Sequence, residues 1–472
     1  MNLTGALNSA TSGLSTTQSL SRVAADNVAN ASTPGYVRRR AELVTSGPGQ
    51  GGARVGEIRR EVDDTLAKLA RLENGKMARH QAVTEGLKSY TVFLGQPGDG
   101  ISPADKFSDF QNSLTTLINM PSSTGAQTGA VLAAEQVANS VRSAATTLGT
   151  TRNEVDMEIR YEVADLNQAL YTLRDLNQQQ RNFQAGSLES AQLDERIDGL
   201  LDQISGTIDM RVTVSSAGSI SLYTIGGAAL MEGDLIQDVS YSPSDGTLMA
   251  GDQDITPFKE NVRGLQHGSL VGLFELKRDI IPRFSSQLDE YARGLIESFQ
   301  SADASLAPGQ PGLFTDNGMA FDPANTEGIA SRIALNENIS MSGGAEVWRI
   351  RDGLGAAAPG NGSDPAQISA FIDGLNTPVG ADPATGIPAF VTVSDFAAEF
   401  VTAQATARAR AENSFDAAAS AAELVMAARR NSEGVSIDDE MQQLLLIEQS
   451  YAANARVLSA VSEMIDTLIA AV

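Results

Sequence analysis

Apolar residues recur at alternating steps of four and three along the first turns of the chain. Leu3, Leu7, Ala10, Leu14, Thr17, Ser21, Ala24 and Val28 make one stripe, which predicts an amphipathic helix over 3–31. The stripe is thin, with small and polar residues in it, and such a helix alone in water buries too little to hold its shape. Pro34 disfavours the helical conformation of the residue before it, and Pro34-Gly35 suits the central positions of a type II turn. Two β-like runs follow at 36–45 and 53–61, then helices at 61–95, 103–119, 124–183 and 189–206.

The long period at 124–183 carries Val137, Val141, Ala144, Leu148, Val155, Ile159, Leu166, Leu170 and Leu173 on one seam. Unbroken, a helix of that length spans roughly 90 Å, which points to a rod-like bundle. Residues 210–260 alternate with β-branched residues and glycine turns, and read as a small β domain. Helix resumes at 269–304, where Pro282 predicts a kink or break. A mixed stretch at 307–393 holds one short helix near 365–376. Ser394 is placed to cap a helix running to Arg430, Gly434 breaks it, and Ser436 opens the last helix with Asp439 at the capping-box distance. On that helix Leu444, Ile447, Tyr451, Leu458, Val461, Ile465, Leu468 and Val472 share a seam, with Asn454 its polar exception.

These elements predict a mainly α fold with an inserted β part. Long terminal helices form a coiled-coil-like pair, a helical bundle lies between, and the β domain is inserted. The expected division is 1–95 with 400–472 as a terminal helical assembly domain, 96–209 with 263–399 as an elongated helical domain, and 210–262 as the β domain.

Composition narrows the function classes. Fifty-eight acids against 34 bases give a net charge of −24, a surface that repels phosphate, so nucleic acid is not an expected partner. No run of about 18 apolar residues predicts a membrane span, and the N-terminal stretch lacks the pattern of a secretory signal peptide. Cysteine is absent, which removes disulfides, thiol nucleophiles and cysteine metal sites. Aromatics are 5% of the chain, so few large aromatic cores are expected.

Catalytic chemistry finds little support. His80 and His267 stand in no metal-binding spacing and read as surface or capping residues. Gly47, Gly49 and Gly52 match a GxGxxG pattern, but the following ARVGEIRR reads as a strand, so a hairpin loop is expected rather than a dinucleotide site. The pairs Asp63-Asp64 and Asp438-Asp439 sit at helix starts, where they complement the macrodipole. The acidic stretch 193–209 reads as a solvated helix face. No catalytic, metal or cofactor site is assigned. The basic residues Arg38, Arg39, Arg40, Arg54, Arg59 and Arg60 would face one another on a hairpin. They either find acidic partners, in the chain or on a neighbour, or guard an edge strand.

The segment SGLSTTQSLSRVAADNVANASTPGYVRR, 12–39, resembles the N-terminal signature of the bacterial flagellar axial proteins, the rod, hook and hook-associated family. GVSIDDEMQQLLLIEQSYAANARVLSAVSEMIDTLI, 434–469, resembles their C-terminal signature. Tyr36-x-Arg38 after Thr-Pro-Gly is similar to the hook-associated members, as are 193–233 and 268–300. Val37 departs from the family, which often has serine there, and so does the segment SADASLAPGQPGLF.

The resemblance implies a non-enzymatic structural role at the hook–filament junction, with export through the flagellar type III apparatus and no cleaved signal peptide. The implied partners are further copies in a ring-like layer at the hook tip, the hook protein, hook-associated protein 3, and an export chaperone at the C-terminal region. The terminal helices are implied to form an inner tube and to be disordered in the monomer. The assembly interface expected on this basis comprises Leu3, Leu7, Leu14, Asn27, Asn30, Pro34, Gly35, Tyr36, Arg38, Arg39, Leu444, Ile447, Tyr451, Leu458, Val461, Ile465 and Leu468. A different axial component, or a secreted adhesin or enzyme with axial-type ends, remains an alternative reading.

Overall fold

The structure is a computed structural model that describes residues 3–45, 52–95, 99–215 and 218–470; the side chains of Leu3 and Leu468, all of Val472, and Gly47 and Gly49 lie outside the description. Helix α1 (Leu3–Asn30) leads into strands β1 (Arg39–Thr45) and β2 (Ala53–Arg60), followed by α2 (Asp64–Leu94), α3 (Pro103–Asn119), α4 (Thr124–Gln180) and α5 (Leu188–Thr207). The β segment contains β3 (Met210–Val214), β4 (Ile220–Thr224), β5 (Ala229–Glu232), β6 (Leu235–Ile236), β7 (Val239–Ser242), β8 (Thr247–Ala250) and β9 (Gln253–Asp254). Helix α6 (Ser269–Glu275) passes through a π turn, Leu276–Ile280, into α7 (Ile281–Ala302). Short elements follow: β10 (Phe314–Asp316), α8 (Ile329–Arg332), β11 (Ile333–Leu335), α9 (Arg349–Asp352), α10 (Ala366–Leu375), β12 (Val379–Gly380) and β13 (Phe390–Val391). Helices α11 (Val393–Glu433) and α12 (Ile437–Ala470) end the chain. The fold is mainly α with long terminal helices and a small inserted β part.

The chain falls into two compact units where the sequence pattern suggested three parts: 1–79, 161–271 and 417–472 form one, and 80–160 with 272–416 the other. The boundaries lie inside α2, α4, α6 and α11, because continuous helices give no composition shift that would mark them.

In the first unit α1 packs along α12, as the two terminal stripes require. Strands β1 and β2 pair antiparallel, with Arg39 opposite Arg60 and Arg40 opposite Arg59, so the expected hairpin forms. The β segment is two antiparallel sheets, β3-β4-β5-β6 and β7-β8-β9.

The second unit gathers the scarce aromatics into one core. Phe110, Phe299 and Phe314 pack with ring centroids 5.2–5.9 Å apart, and Tyr291 stacks on Phe396 and Phe400. Through the same unit runs a buried polar chain: Tyr90 Oη donates to Gln404 Oε1 (2.7 Å), Gln404 Nε2 to Gln287 Oε1 (3.0 Å), and Gln287 Nε2 to the Thr385 carbonyl (2.9 Å). Helical structure runs without a gap through Pro282. The helix widens instead into the π turn, whose last bond runs from the Ile281 N–H to the Leu276 carbonyl, and this accommodates the proline ring and its missing donor. The cap of α11 is Thr392 rather than Ser394: its hydroxyl accepts from the Asp395 N–H at 3.0 Å. Ser436 caps α12 weakly, through a 3.4 Å bond from the Asp439 N–H.

Candidate assembly surface

Thr33-Pro34-Gly35 closes α1 with a tight turn in which the Tyr36 N–H bonds the Thr33 carbonyl (3.2 Å) and Gly35 takes φ +79°, the left-handed position a type II turn needs. Pro34 and Gly35 are exposed and border a groove of about 510 Å³ lined also by Thr33, Met426, Arg430 and Val435. The turn brings the basic run back onto the end of α1.

There Asn27 is buried and makes four hydrogen bonds. Its Nδ2 donates to the Arg39 carbonyl (2.9 Å) and to Glu440 Oε2 (3.2 Å), while its Oδ1 accepts from the Arg39 N–H (3.0 Å) and from Tyr36 Oη (2.9 Å). Burial pushes the Tyr36 phenol up to about 12, although the Arg39 guanidinium, 4.9 Å from the ring centroid, pulls the other way. Tyr36 is therefore a neutral donor at any physiological pH. Asn30 has a smaller role: it bonds the Asp26 carbonyl and accepts from Thr33 Oγ1, which finishes the helix end.

Arg38, Arg39, Arg40, Arg59 and Arg60 find their acids inside the chain. Arg38 pairs with Glu440 (2.8 Å) and Glu61 (3.5 Å), and its N–H donates to the Glu433 carbonyl (2.9 Å). Arg39, with a side chain 4% exposed, pairs with Glu195 at 2.6 Å. Arg60 reaches Asp198, Asp198 reaches Arg71, Arg71 reaches Asp202, and Asp202 reaches Arg429, which bonds Glu433. This ionic chain ties β2, α2, α5 and α11 together. It corrects the reading of 193–209: Glu195, Asp198 and Asp202 are the counter-ions of the hairpin and its neighbours, not a solvated face. The sequence signal was available in the six arginines that needed acids, but it did not say which acids.

On the terminal pair, α1 contributes small residues and α12 the bulk. Ala10, Thr16, Thr17, Val23 and Ala24 are buried on α1, and Ile447 and Val461 on α12, with Leu7, Leu14, Leu444, Leu458 and Ile465 half-buried beside them. Tyr451 keeps the seam's spacing, one heptad from both Leu444 and Leu458, yet is 51% exposed. Away from the seam Met441, Leu445, Leu446, Val457 and Met464 are all about half exposed or more. A helix that pairs along one side and stays apolar along another has surface left to cover.

Among the described residues no helix is long and apolar enough to cross a membrane, and no group of three or more His, Cys, Asp or Glu residues could hold a metal ion. Burial raises the Asp209 carboxyl to about 6, although the Gln266 N–H donates to its Oδ2 at 2.9 Å.

Three family descriptions match the sequence: the flagellar hook-associated protein FlgK helical domain over 89–310, the flagellar basal body rod FlgEFG protein C-terminal region over 431–471, and the flagella basal body rod protein over 7–36. Flagellar hook-associated protein 1 of Bacillus subtilis is 24% identical over 516 residues, spanning 98% of this chain and 97% of that protein. The protein of the same name from Salmonella typhimurium is 22% identical over 310 residues, covering 62% of this chain and 56% of its own length. The solved structure of the flagellar hook junction protein FlgK from Burkholderia pseudomallei matches 53% of this chain and 47% of its own, with a TM-score of 0.43 and 18% identity. The chain is thus similar to flagellar hook-associated protein 1 nearly from end to end, and it bears flagellar axial-protein signatures at both termini and in the helical domain between them.

Proposed function

We propose that this chain is a non-enzymatic structural component of the bacterial flagellum that joins hook to filament. In this reading copies form a ring-like layer on the hook tip after type III export, between the hook protein and hook-associated protein 3, and an export chaperone covers the C-terminal region beforehand. The observation that carries the reading is the terminal pair. Helix α12 satisfies one apolar face on α1 and leaves another, from Met441 to Met464, for a neighbouring polypeptide. The assembly part in this reading is the terminal helix pair with its hairpin, within 1–79 and 417–472. Within it Leu7, Leu14, Leu444, Ile447, Tyr451, Leu458, Val461 and Ile465 lie along the seam. Asn27, Asn30, Pro34, Gly35, Tyr36, Arg38 and Arg39 shape its exit.

A strain lacking the gene tests the reading. Hooks without filaments, with flagellin shed into the medium, are expected; normal filaments would overturn it.

A further inference from the structure

Two contacts fix how α1 lies against α12. Near one end Asn27 bonds Glu440. Further along, Gly13 faces Asn454 so closely that a Cβ added at Gly13 would stand 2.7 Å from Asn454 Nδ2 and 2.8 Å from its Cγ. The interval from Gly13 to Asn27 equals that from Glu440 to Asn454, so the helices run antiparallel and in one continuous register. Leu20 and Ile447 fall midway, one heptad from each contact. Three successive layers therefore alternate: Gly13 with Asn454, Leu20 with Ile447, and Asn27 with Glu440.

We propose that Gly13 and Asn454 are the register-setting residues of the terminal helix pair, acting with Asn27 and Glu440 as a two-point lock on an otherwise weakly specified seam. The seam needs such a device. Its α1 side is built of alanine, threonine and valine, which pack acceptably against many neighbours, so apolar burial discriminates poorly between registers. Polar residues discriminate well. Sliding α12 by about one turn in one direction sets Asn454 on Thr17, Ile447 on Ala24, and Glu440 level with Ala31, beyond the end of α1. Sliding it the other way sets Glu440 on Ala24 and Ile447 on Thr17. Each slip parts the buried Glu440 carboxylate from its Asn27 donor and takes the Asn454 carboxamide off the Gly13 notch, whereas the observed register keeps both. Glycine at 13 is what admits the Asn454 carboxamide. An alanine there would push the carboxamide, the far end of a short side chain, out of the notch.

The lock belongs to the single chain and is tested without assembly, so its failure is separate from failure of the proposed function. The chain has no cysteine, so introduced pairs report cleanly. In purified full-length chain, Leu20→Cys with Ile447→Cys reads the native register, and Leu20→Cys with Leu444→Cys or with Tyr451→Cys reads displaced ones. With Gly13 and Asn454 intact, the first pair is expected to oxidise at least tenfold faster than either displaced pair. Asn454→Leu, or Gly13→Ala, is expected to bring the three rates within about threefold of one another, and Asn454→Ser is expected to restore the preference in the Gly13→Ala chain. Near-exclusive closure of the native pair in the Asn454→Leu and Gly13→Ala chains would overturn the proposal. So would equal closure of all three pairs in the chain with Gly13 and Asn454 unchanged. Circular dichroism of each variant separates loss of register from loss of helix.

Discussion

Arg38 and Glu440 form a 2.8 Å ion pair in which the carboxylate is only 1% exposed and its other oxygen takes the hydrogen bond from Asn27. One carboxylate on α12 thus holds both the end of α1 and the start of the hairpin. Glu440→Ala strands a buried amide and removes the counter-ion of Arg38, and is expected to loosen the terminal pair by about 1–3 kcal/mol. Release of the C-terminal helix by a protease at increasing urea measures it. No shift in the urea midpoint would mean that the apolar seam alone holds α12.

The same thin seam sets the order of opening. Limited proteolysis of the purified chain is expected to trim residues within roughly 1–60 and 417–472 before the middle, because α1 buries mostly small side chains. Resistance of both ends alongside the aromatic core of the second unit would contradict this.

The two faces of α12 predict separable phenotypes. Leu444→Asp or Leu458→Asp is expected to weaken the intramolecular pair, whereas Leu445→Asp or Met464→Asp is expected to leave the monomer's melting unchanged. All four are expected to block incorporation into flagella or binding of the chaperone, with the middle of the chain still folded. Normal incorporation of the Leu445→Asp or Met464→Asp chain would remove the outer face from the interface.

Charge reversal at Arg38 and Arg39 separates internal from external roles. Arg39 and Glu195 are both largely buried, so Arg39→Glu is expected to destabilise the isolated chain, and Glu195→Arg on top of it to recover part of the loss. An Arg38→Glu, Arg39→Glu chain as stable as the parent but unable to assemble would instead place these arginines against a neighbouring subunit.

Asp209 gives a pH signature. Its folded-state value, about 6, lies above the ordinary 3.8, so its ionisation costs stability. The cost is fully present above the folded value and disappears as pH falls from about 6 toward 4. Asp209→Asn keeps an acceptor for the Gln266 N–H and is expected to stabilise the first unit on the order of 2 kcal/mol at pH 8 and by little at pH 4. Thermal melts at the two pH values check the difference.

Much of this was legible in the sequence. The terminal stripes, the turn at Pro34-Gly35, the hairpin and every long helix follow from period, proline and glycine, which act locally. What was not legible depends on distant partners. Nothing near residue 27 announces that Asn27 will meet Glu440. The acids of α5 look solvated until the fold brings Arg39, Arg60 and Arg71 to them. Tyr451 fits the stripe by spacing, yet it is half exposed, and spacing alone does not tell how deeply a residue on a stripe is covered. Thr392 took the cap from Ser394 because both are equally good capping residues and only the backbone decides where the helix starts. The aromatic core was missed because a low average says nothing about clustering.

The Tyr90–Gln404–Gln287–Thr385 chain has a consequence for the medium in which the molecule works. Every link is a neutral hydroxyl, amide or carbonyl, so none gains or loses a proton in the ordinary range, and none is weakened by dissolved ions. Ion pairs lie in both units, among them Arg71–Asp202 in the first and Arg332–Asp316 in the second, and these feel both. A rise in salinity or a drop in pH would therefore slacken those ion pairs while leaving this crossing as it was.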